Sequence, residues 1–499
     1  LSILLGDINE RAGEDFRAFK SWIQALKALP DASERQGELA EKLGRIIRKT
    51  EPSRLKALAG LAEGTDYAPW AYFRLARLRL ETGNLGGARN AALDLLRSTS
   101  DDAWLHLARD ILERVHAEQS VMRKRVGCLL PLSGPFGIYG QEVLNGILLA
   151  LGVSEKESRE PELELVIRDT GGTPEKTAAA LHELVYRQRV IAVIGPLSSR
   201  SAAVAANEAQ RMGVPLITLS QKEGIVDARD MVFRNFHTPT REVKELLDTA
   251  MNSLGIRRFA ILYPENSYGV LLMNRLWDGL EDAGGKVTAV ESYPPEQTDF
   301  AEQIKKMTGL FYPRPESVTR RLKQERSVEE EESVIFPEEP QPIVDFGAVF
   351  LPDNAQHAAM IAPQLVYHDV TDVVLMGTGL WQSQDLMDMA GEYMQGAVFT
   401  SGFFEDQGNP IVRGFVDSYR REFDGAPSVL AAAGYDTMML LKEMLAGKEI
   451  RTRSDLRAAL FRGRGMDGVT GKIAFDSRGE VKKEPLILTF RGNRMAVFR

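Results

Sequence analysis

The sequence predicts an all-α helical-repeat domain followed by a two-lobed α/β unit. Three observations predict it. The first 120 or so residues carry no strand-like alternation and read as amphipathic helices. From Arg123 the pattern changes to short apolar runs alternating with helical periodicities, the rhythm of parallel sheets with crossover helices. Nine strand candidates precede residue 401, more than a single doubly wound sheet of five or six strands holds, so two lobes are the natural division.

Within residues 1–120 two segments resemble each other. Leu5 to Gly13 is followed by Ala18, Ala25-Leu26 and Pro30; Leu75 to Gly83 is followed by Ala88 and Leu95-Leu96. Gly13 and Gly83 are 70 residues apart, about two periods of a 34-residue helical-hairpin repeat. Gly44 falls near the middle of that gap, in a degenerate unit. Ser100-Asp101-Asp102 offers a cap for a further helix from Trp104. Small residues let paired helices approach, and large apolar residues at i, i+3 and i+4 fill the space between hairpins. The segment resembles the tetratricopeptide repeat family, most clearly over Gly13–Pro30 and Pro69–Leu96. A generic helical bundle is the alternative.

The α/β region reads in order. Strands are expected at Val126–Leu130, Leu163–Arg168, Val190–Ile194, Leu216–Leu219, Phe259–Tyr263, Lys286–Glu291, Phe346–Leu351, Val373–Met376 and Gly396–Thr400. Helices are expected at Tyr139–Leu151, Pro174–Tyr186, Ser201–Met212, Arg241–Leu254, Tyr268–Asp282, Ala355–Val366 and Asn409–Phe423. Residues 309–345 interrupt the rhythm with Pro313, Pro315, Pro337, Pro340, Pro342 and the acidic run Glu329–Glu332, and read as an inserted, solvated loop.

Composition narrows the function. Of 499 residues, 44% are hydrophobic and 26% charged, as in an ordinary globular protein of several domains. The net charge of −8 does not attract phosphate backbones, so nucleic acid is not an expected partner. No apolar run reaches the roughly 18 residues that span a bilayer. The chain starts at Leu1, which leaves room for a removed leader. Cys128 stands alone within a strand pattern and reads as a core thiol.

No enzymatic signature appears: there is no G-x-S-x-G elbow, phosphate loop, H-E-x-x-H or C-x-x-C pair. The six histidines show no ligand spacing, and surface or structural roles are their default. The run Gly463-Arg-Gly-Met-Asp-Gly468-Val-Thr-Gly471 lacks the Lys-Ser/Thr ending of a phosphate cradle and reads as a turn or hinge before a strand at Lys472–Phe475. No metal or cofactor is expected. What remains are loops after strands, where open α/β sheets bind ligands. Ser133, Phe136 and Tyr139 follow the first strand, Ser198 and Ser199 the third, Thr218 and Ser220 the fourth. Their hydroxyls and helix-start N–H groups suit an anion such as a carboxylate, or simply cap their helices.

Residues 124 to about 499 resemble type I periplasmic binding proteins of the branched-chain amino-acid receptor class. The resemblance rests on Val126-Gly-Cys-Leu-Leu-Pro-Leu-Ser-Gly-Pro-Phe, Val193-Ile-Gly-Pro-Leu-Ser-Ser, Val214-Pro-Leu-Ile-Thr-Leu-Ser and Val232-Phe-Arg-Asn. Further along come Tyr263-Pro-Glu-Asn-Ser-Tyr-Gly, Ala433-Gly-Tyr-Asp-Thr and Gly468-Val-Thr-Gly-Lys-Ile-Ala-Phe-Asp-Ser-Arg-Gly. It implies two lobes joined by three crossings, with lobe one at about 124–237 plus 402–468 and lobe two at about 238–401 plus 469–499. A helical-repeat domain ahead of such a module is similar to the lipoprotein activators of penicillin-binding proteins.

The resemblance also implies a site. Ser198, Ser199, Thr218 and Ser220 would hold a ligand carboxylate, Phe136 or Tyr139 would pack the ligand, and Tyr268 would close over it. The family's acidic position after the strand at Val373–Met376 is replaced by Gly377-Thr-Gly-Leu-Trp381-Gln. A buried ammonium must be paired; Asp353 is the candidate substitute, and Trp381 a cleft wall. Two functions follow. One is a non-enzymatic receptor of the periplasm or outer membrane, capturing a small polar, amino-acid-like or peptide-like molecule, with the repeats docking a transporter or other protein. The other is a regulator of a peptidoglycan synthase with a reduced or empty cleft. A lipid anchor would lie upstream of Leu1.

Overall fold

A computed structural model describes residues 1–29, 34–152, 162–313, 317 and 341–498. Among the described residues the N-terminal region is seven helices: α1 (Ser2–Arg11), α2 (Asp15–Ala28), α3 (Glu34–Lys49), α4 (Pro52–Leu61), α5 (Tyr67–Glu81), α6 (Leu85–Ser98) and α7 (Asp102–Gln119). The odd-numbered helices begin about every 33 residues, and odd- and even-numbered helices share one core around Trp22, Leu43, Leu58 and Leu75. Gly13 and Gly83 occupy equivalent left-handed turns, at φ +76° and +73°, after α1 and α5. Gly44 is not a turn glycine: it lies inside α3, where a side chain would overlap Trp70. Asp101 caps α7 through the N–H groups of Ala103 and Trp104, as its sequence position suggests. Pro30 of the repeat pattern lies outside the described residues.

The chain then enters a five-stranded parallel sheet in the order β2-β1-β3-β4-β5. Its strands are β1 (Met122–Leu130), β2 (Glu164–Asp169), β3 (Val190–Ile194), β4 (Leu216–Thr218) and β5 (Val232–Arg234). β1 and β3 are buried and apolar because helices cover both faces of the sheet. Cys128 is fully buried there, and burial pushes its thiol up. The second sheet runs β14-β13-β10-β9-β8-β6-β7. Its parallel part comprises β6 (Arg258–Pro264), β7 (Lys286–Tyr293), β8 (Ala348–Phe350), β9 (Val374–Gly377) and β10 (Val398–Ser401). An antiparallel hairpin, β13 (Leu486–Arg491) and β14 (Arg494–Val497), extends it beyond β10. Both strands of that hairpin, and the short β5, lie outside the nine expected.

The helices Val429–Ala446 and Arg453–Arg462 return to the first lobe, where Met438, Leu441 and Leu456 join the core of the first sheet. Between Met466 and Ile473 the glycine-rich run forms a small hairpin, β11 (Met466–Gly468) with β12 (Gly471–Ile473). The expected start of the last lobe-two segment at residue 469 needs correction. Ile473, Phe475 and Val481 are buried in the lobe-one core, so the chain crosses back only between Val481 and Leu486. The three crossings are therefore Phe236–Thr238, Gly402–Phe403 and Lys482–Pro485.

The inserted loop is described only at its ends, where the Ile343 N–H donates to the Thr308 carbonyl at 2.9 Å. Pro315, Pro337, Pro340 and Glu329–Glu332 lie outside the described residues. Among the described residues no helix is long and apolar enough to cross a membrane.

Candidate functional site

The strand order 2-1-3-4-5 places a topological switch between β1 and β3, and the loops after these strands border the crevice between the lobes. Ser133, Phe136, Tyr139, Ser198, Ser199, Thr218 and Ser220 all lie on this edge, but few of their groups are free. Asp169 at the end of β2 is bound by the Ser133 hydroxyl and by the N–H groups of Gly171, Leu132 and Ser133, which hold its carboxylate down to about 2. The Ser198 hydroxyl caps its helix by accepting from Ser201 N at 3.3 Å, while Ser199 is exposed. Thr218 is fully buried; its hydroxyl donates to the Pro196 carbonyl at 3.0 Å and accepts from Ser220 N at 3.3 Å. Ser220 is buried too, and accepts from Lys222 N. Phe136 and Tyr139 are about half exposed, at 51% and 49%, so this wall of the crevice is open to solvent.

On the second lobe, Tyr268 stands at the start of the helix Ser267–Asp282, and its hydroxyl donates to Thr378 Oγ1 at 2.9 Å. Burial pushes the phenol up. Asp353 and Trp381 do not serve as expected. Asp353 Oδ2 accepts from the Tyr293 hydroxyl at 2.8 Å and lies 2.6 Å from His357 Nδ1, and its Oδ1 accepts from Asn354 N. Trp381 is fully buried in the lobe-two core and donates from Nε1 to the Asp353 carbonyl at 3.1 Å. The acid is consumed inside its own lobe, and the indole is core rather than cleft wall.

The cavity between the lobes sits lower, against the three crossings. It has a volume of about 180 Å³. Lobe one contributes Gln221, Phe236, Ala433 and Thr470; lobe two contributes Glu242, Tyr268, Leu380 and Gln382. His237, Gly402 and Lys483, one from each crossing, also line it. Of the expected residues only Tyr268 is here.

A buried polar chain supports the cavity. Lys483 Nζ donates to Asn235 Oδ1 at 2.9 Å and to Thr470 Oγ1 at 2.8 Å. The Thr470 hydroxyl in turn donates to Asp436 Oδ2 at 2.5 Å, and Asp436 also accepts from the N–H groups of Val469 and Thr470. Burial lowers Lys483 to about 8 against the pull of Asp436, and the same burial raises Asp436. The motifs around Asp436 and Gly468 thus meet in space: a Cβ on Gly468 would collide with the Asp436 carboxylate.

Among the described residues, no hydrogen bond reaches His237 Nε2 or the Glu242 carboxylate. His237 is 4% exposed, and its Nε2 has no hydrogen-bond partner. Burial, with Lys483 and Arg241 nearby, holds this imidazole down to about 3, so it is neutral. Burial also raises Glu242 to about 7. His237, expected to be structural, and Glu242, Gln221, Gln382 and Lys483, which no motif marks, line the cavity instead. The available signal was position: three of the missed groups flank or occupy chain crossings. Among the described residues no cluster of His, Cys, Asp and Glu suits a metal ion.

A family model for periplasmic binding proteins matches residues 124–489. The chain is 26% identical over 202 residues to glutamate receptor 2.8 of Arabidopsis thaliana, covering 40% of this chain and 21% of that protein. It is 21% identical over 186 residues to Leu/Ile/Val-binding protein homolog 3 of Brucella melitensis, covering 36% of this chain and 50% of the other. The chain thus spans half or less of the length of these relatives. The branched-chain amino acid transporter substrate-binding protein of Streptococcus pneumoniae, solved with isoleucine, superposes with a TM-score of 0.53 at 20% identity, over 75% of this chain and 97% of that one. The chain belongs to the periplasmic binding protein family.

Proposed function

We propose that this periplasmic binding protein is an extracytoplasmic receptor, not an enzyme, which captures a small polar molecule between hinged lobes. The observation that carries this reading is the cavity at the three crossings. It is walled by both lobes and retains an unpartnered, buried imidazole nitrogen at His237. A buried polar atom without a partner costs about 1–3 kcal/mol, which a ligand hydrogen bond recovers. A molecule touching both walls favours the state in which the lobes approach, and the closure follows from that differential contact. Relatives named for binding leucine, isoleucine and valine support the ligand size. The serine and threonine loops above the cavity offer a second tier of contacts once their local hydrogen bonds exchange. The repeating helices α1–α7 read as a tetratricopeptide-like array that docks a protein partner.

The test is a thermal-shift screen of the whole chain against amino acids, short peptides and aromatic acids, followed by X-ray scattering of any hit. A ligand at 100 times its Kd raises stability by about 2.7 kcal/mol. Capture predicts that shift, a smaller radius of gyration, and at least tenfold weaker binding by Tyr268→Ala. A hit that leaves the scattering profile and the Tyr268→Ala affinity unchanged contradicts it.

One observation favours the second reading, a synthase regulator with a reduced cleft: Asp353 and Trp381 are absorbed into the lobe-two core. Silence across the screen, with retention of a peptidoglycan synthase on the immobilised chain, selects it.

A further inference from the structure

Glu242 lies in the first turn of the helix Pro239–Asp248, immediately after the first crossing, and lines the interlobe cavity with Tyr268 and His237. Among the described residues, no hydrogen bond or ion pair reaches its carboxylate. The cations around it are committed elsewhere. Arg241 donates to the Val481 carbonyl and faces Glu484; Arg275 pairs with Glu223 at 2.7 Å; Lys483 serves Asn235 and Thr470. His237, beside Lys483, is neutral. The cavity therefore holds one acid to which no cation of the protein is bonded.

A desolvated carboxylate without a partner is unfavourable, and a ligand ammonium is the group that relieves it. A ligand carboxylate would instead add like charge beside it. Lys483, on the same cavity, serves the other end of such a ligand. An ammonium has three N–H donors, two of which are used here, so one remains for a ligand oxygen.

We infer that Glu242 receives the positive charge of the captured molecule, and is the residue through which this cavity selects for an ammonium. This rests on the capture reading above and moves the cation contact from Asp353 to the helix after the first crossing. Glu242 then selects among ligands of similar shape by whether they carry an ammonium.

The experiment uses three probes of matched shape on the whole chain, read by calorimetry: leucine, 3-methylbutylamine and 4-methylpentanoate. The expected result is binding of leucine and the amine at least tenfold tighter than of the carboxylate. Glu242→Gln should collapse that ratio, weakening leucine and the amine and relieving the like-charge penalty on the carboxylate. The parent comparison needs no variant, and Glu242→Gln should melt no lower than the parent at pH 7, since it removes an unpaired, partly buried charge. Equal affinity for all three probes, or a ratio that survives Glu242→Gln, overturns the ammonium contact and leaves capture standing. No heat from any of the three overturns the contact; silence across the wider screen removes capture as well.

Discussion

Glu242 and His237 line one cavity and pull its pH response in opposite directions. The folded value of Glu242, about 7, lies above its ordinary 4.5, so the folded state prefers the proton. Its contribution to stability is complete below about pH 4.5 and is lost as pH rises toward 7, by about 1–3 kcal/mol given its partial exposure. His237 has a folded value of about 3, below its ordinary 6.5, so the folded state prefers the neutral ring. Its contribution is complete above pH 6.5 and is lost as pH falls toward 3. Urea midpoints from pH 3 to 8 should therefore flatten above pH 4.5 in Glu242→Gln and flatten on the acid side in His237→Asn. Coincident profiles for parent and variants would contradict the assignment. These groups were hidden in the sequence for a physical reason. A hydroxyl that caps its own loop, as Thr218 does, reads the same as one aimed at a ligand. Asp353 looked available because its partner Tyr293 lies 60 residues away in sequence.

Helices Gly137–Leu151 and Val429–Ala446 lie backbone against backbone. A Cβ on Gly146 would overlap the Ala431 carbonyl, and one on Gly434 would meet the Val143 carbonyl at 2.5 Å. Gly146→Ala should lower stability by about 1–3 kcal/mol through overpacking. Gly414, exposed on the helix Pro410–Phe423 with nothing near its missing Cβ, supplies the contrast. There the same change should raise stability by about 0.5–1 kcal/mol, because alanine loses less backbone freedom in a helix. Chemical denaturation measures both, and equal signs would refute the packing argument. Most of the parallel strands were legible because a strand buried on both faces is a continuous apolar run, as in Val190–Ile194. Val429–Ala446 was not, because it is buried on most sides and shows little polar–apolar periodicity. The three residues of β5 are too few to carry a pattern, although their motif marked the first crossing.

Across the whole molecule, Glu223 of lobe one ties the lobes together. It accepts from Thr240 N at 2.9 Å and pairs with Arg275 of lobe two. The pair is partly exposed and is worth about 1 kcal/mol, enough to bias a hinge but not to lock it. Glu223→Gln should broaden the interlobe distance distribution measured between spin labels on the helices Ser199–Met212 and Ala355–Tyr367; an unchanged distribution would show that the tie does not restrain the lobes. The helical domain is attached elsewhere. Asp110 pairs with Arg211, Glu118 accepts from Ser454 N, and Arg114 packs over Gly213, all at the end of the first sheet where its strands begin. Ligand would enter at the far end. A partner gripping α1–α7 would thus hold lobe one by its back, leaving lobe two as the free jaw, and news of an occupied mouth would reach that holder as a swing of the distal half rather than as any change at the grip.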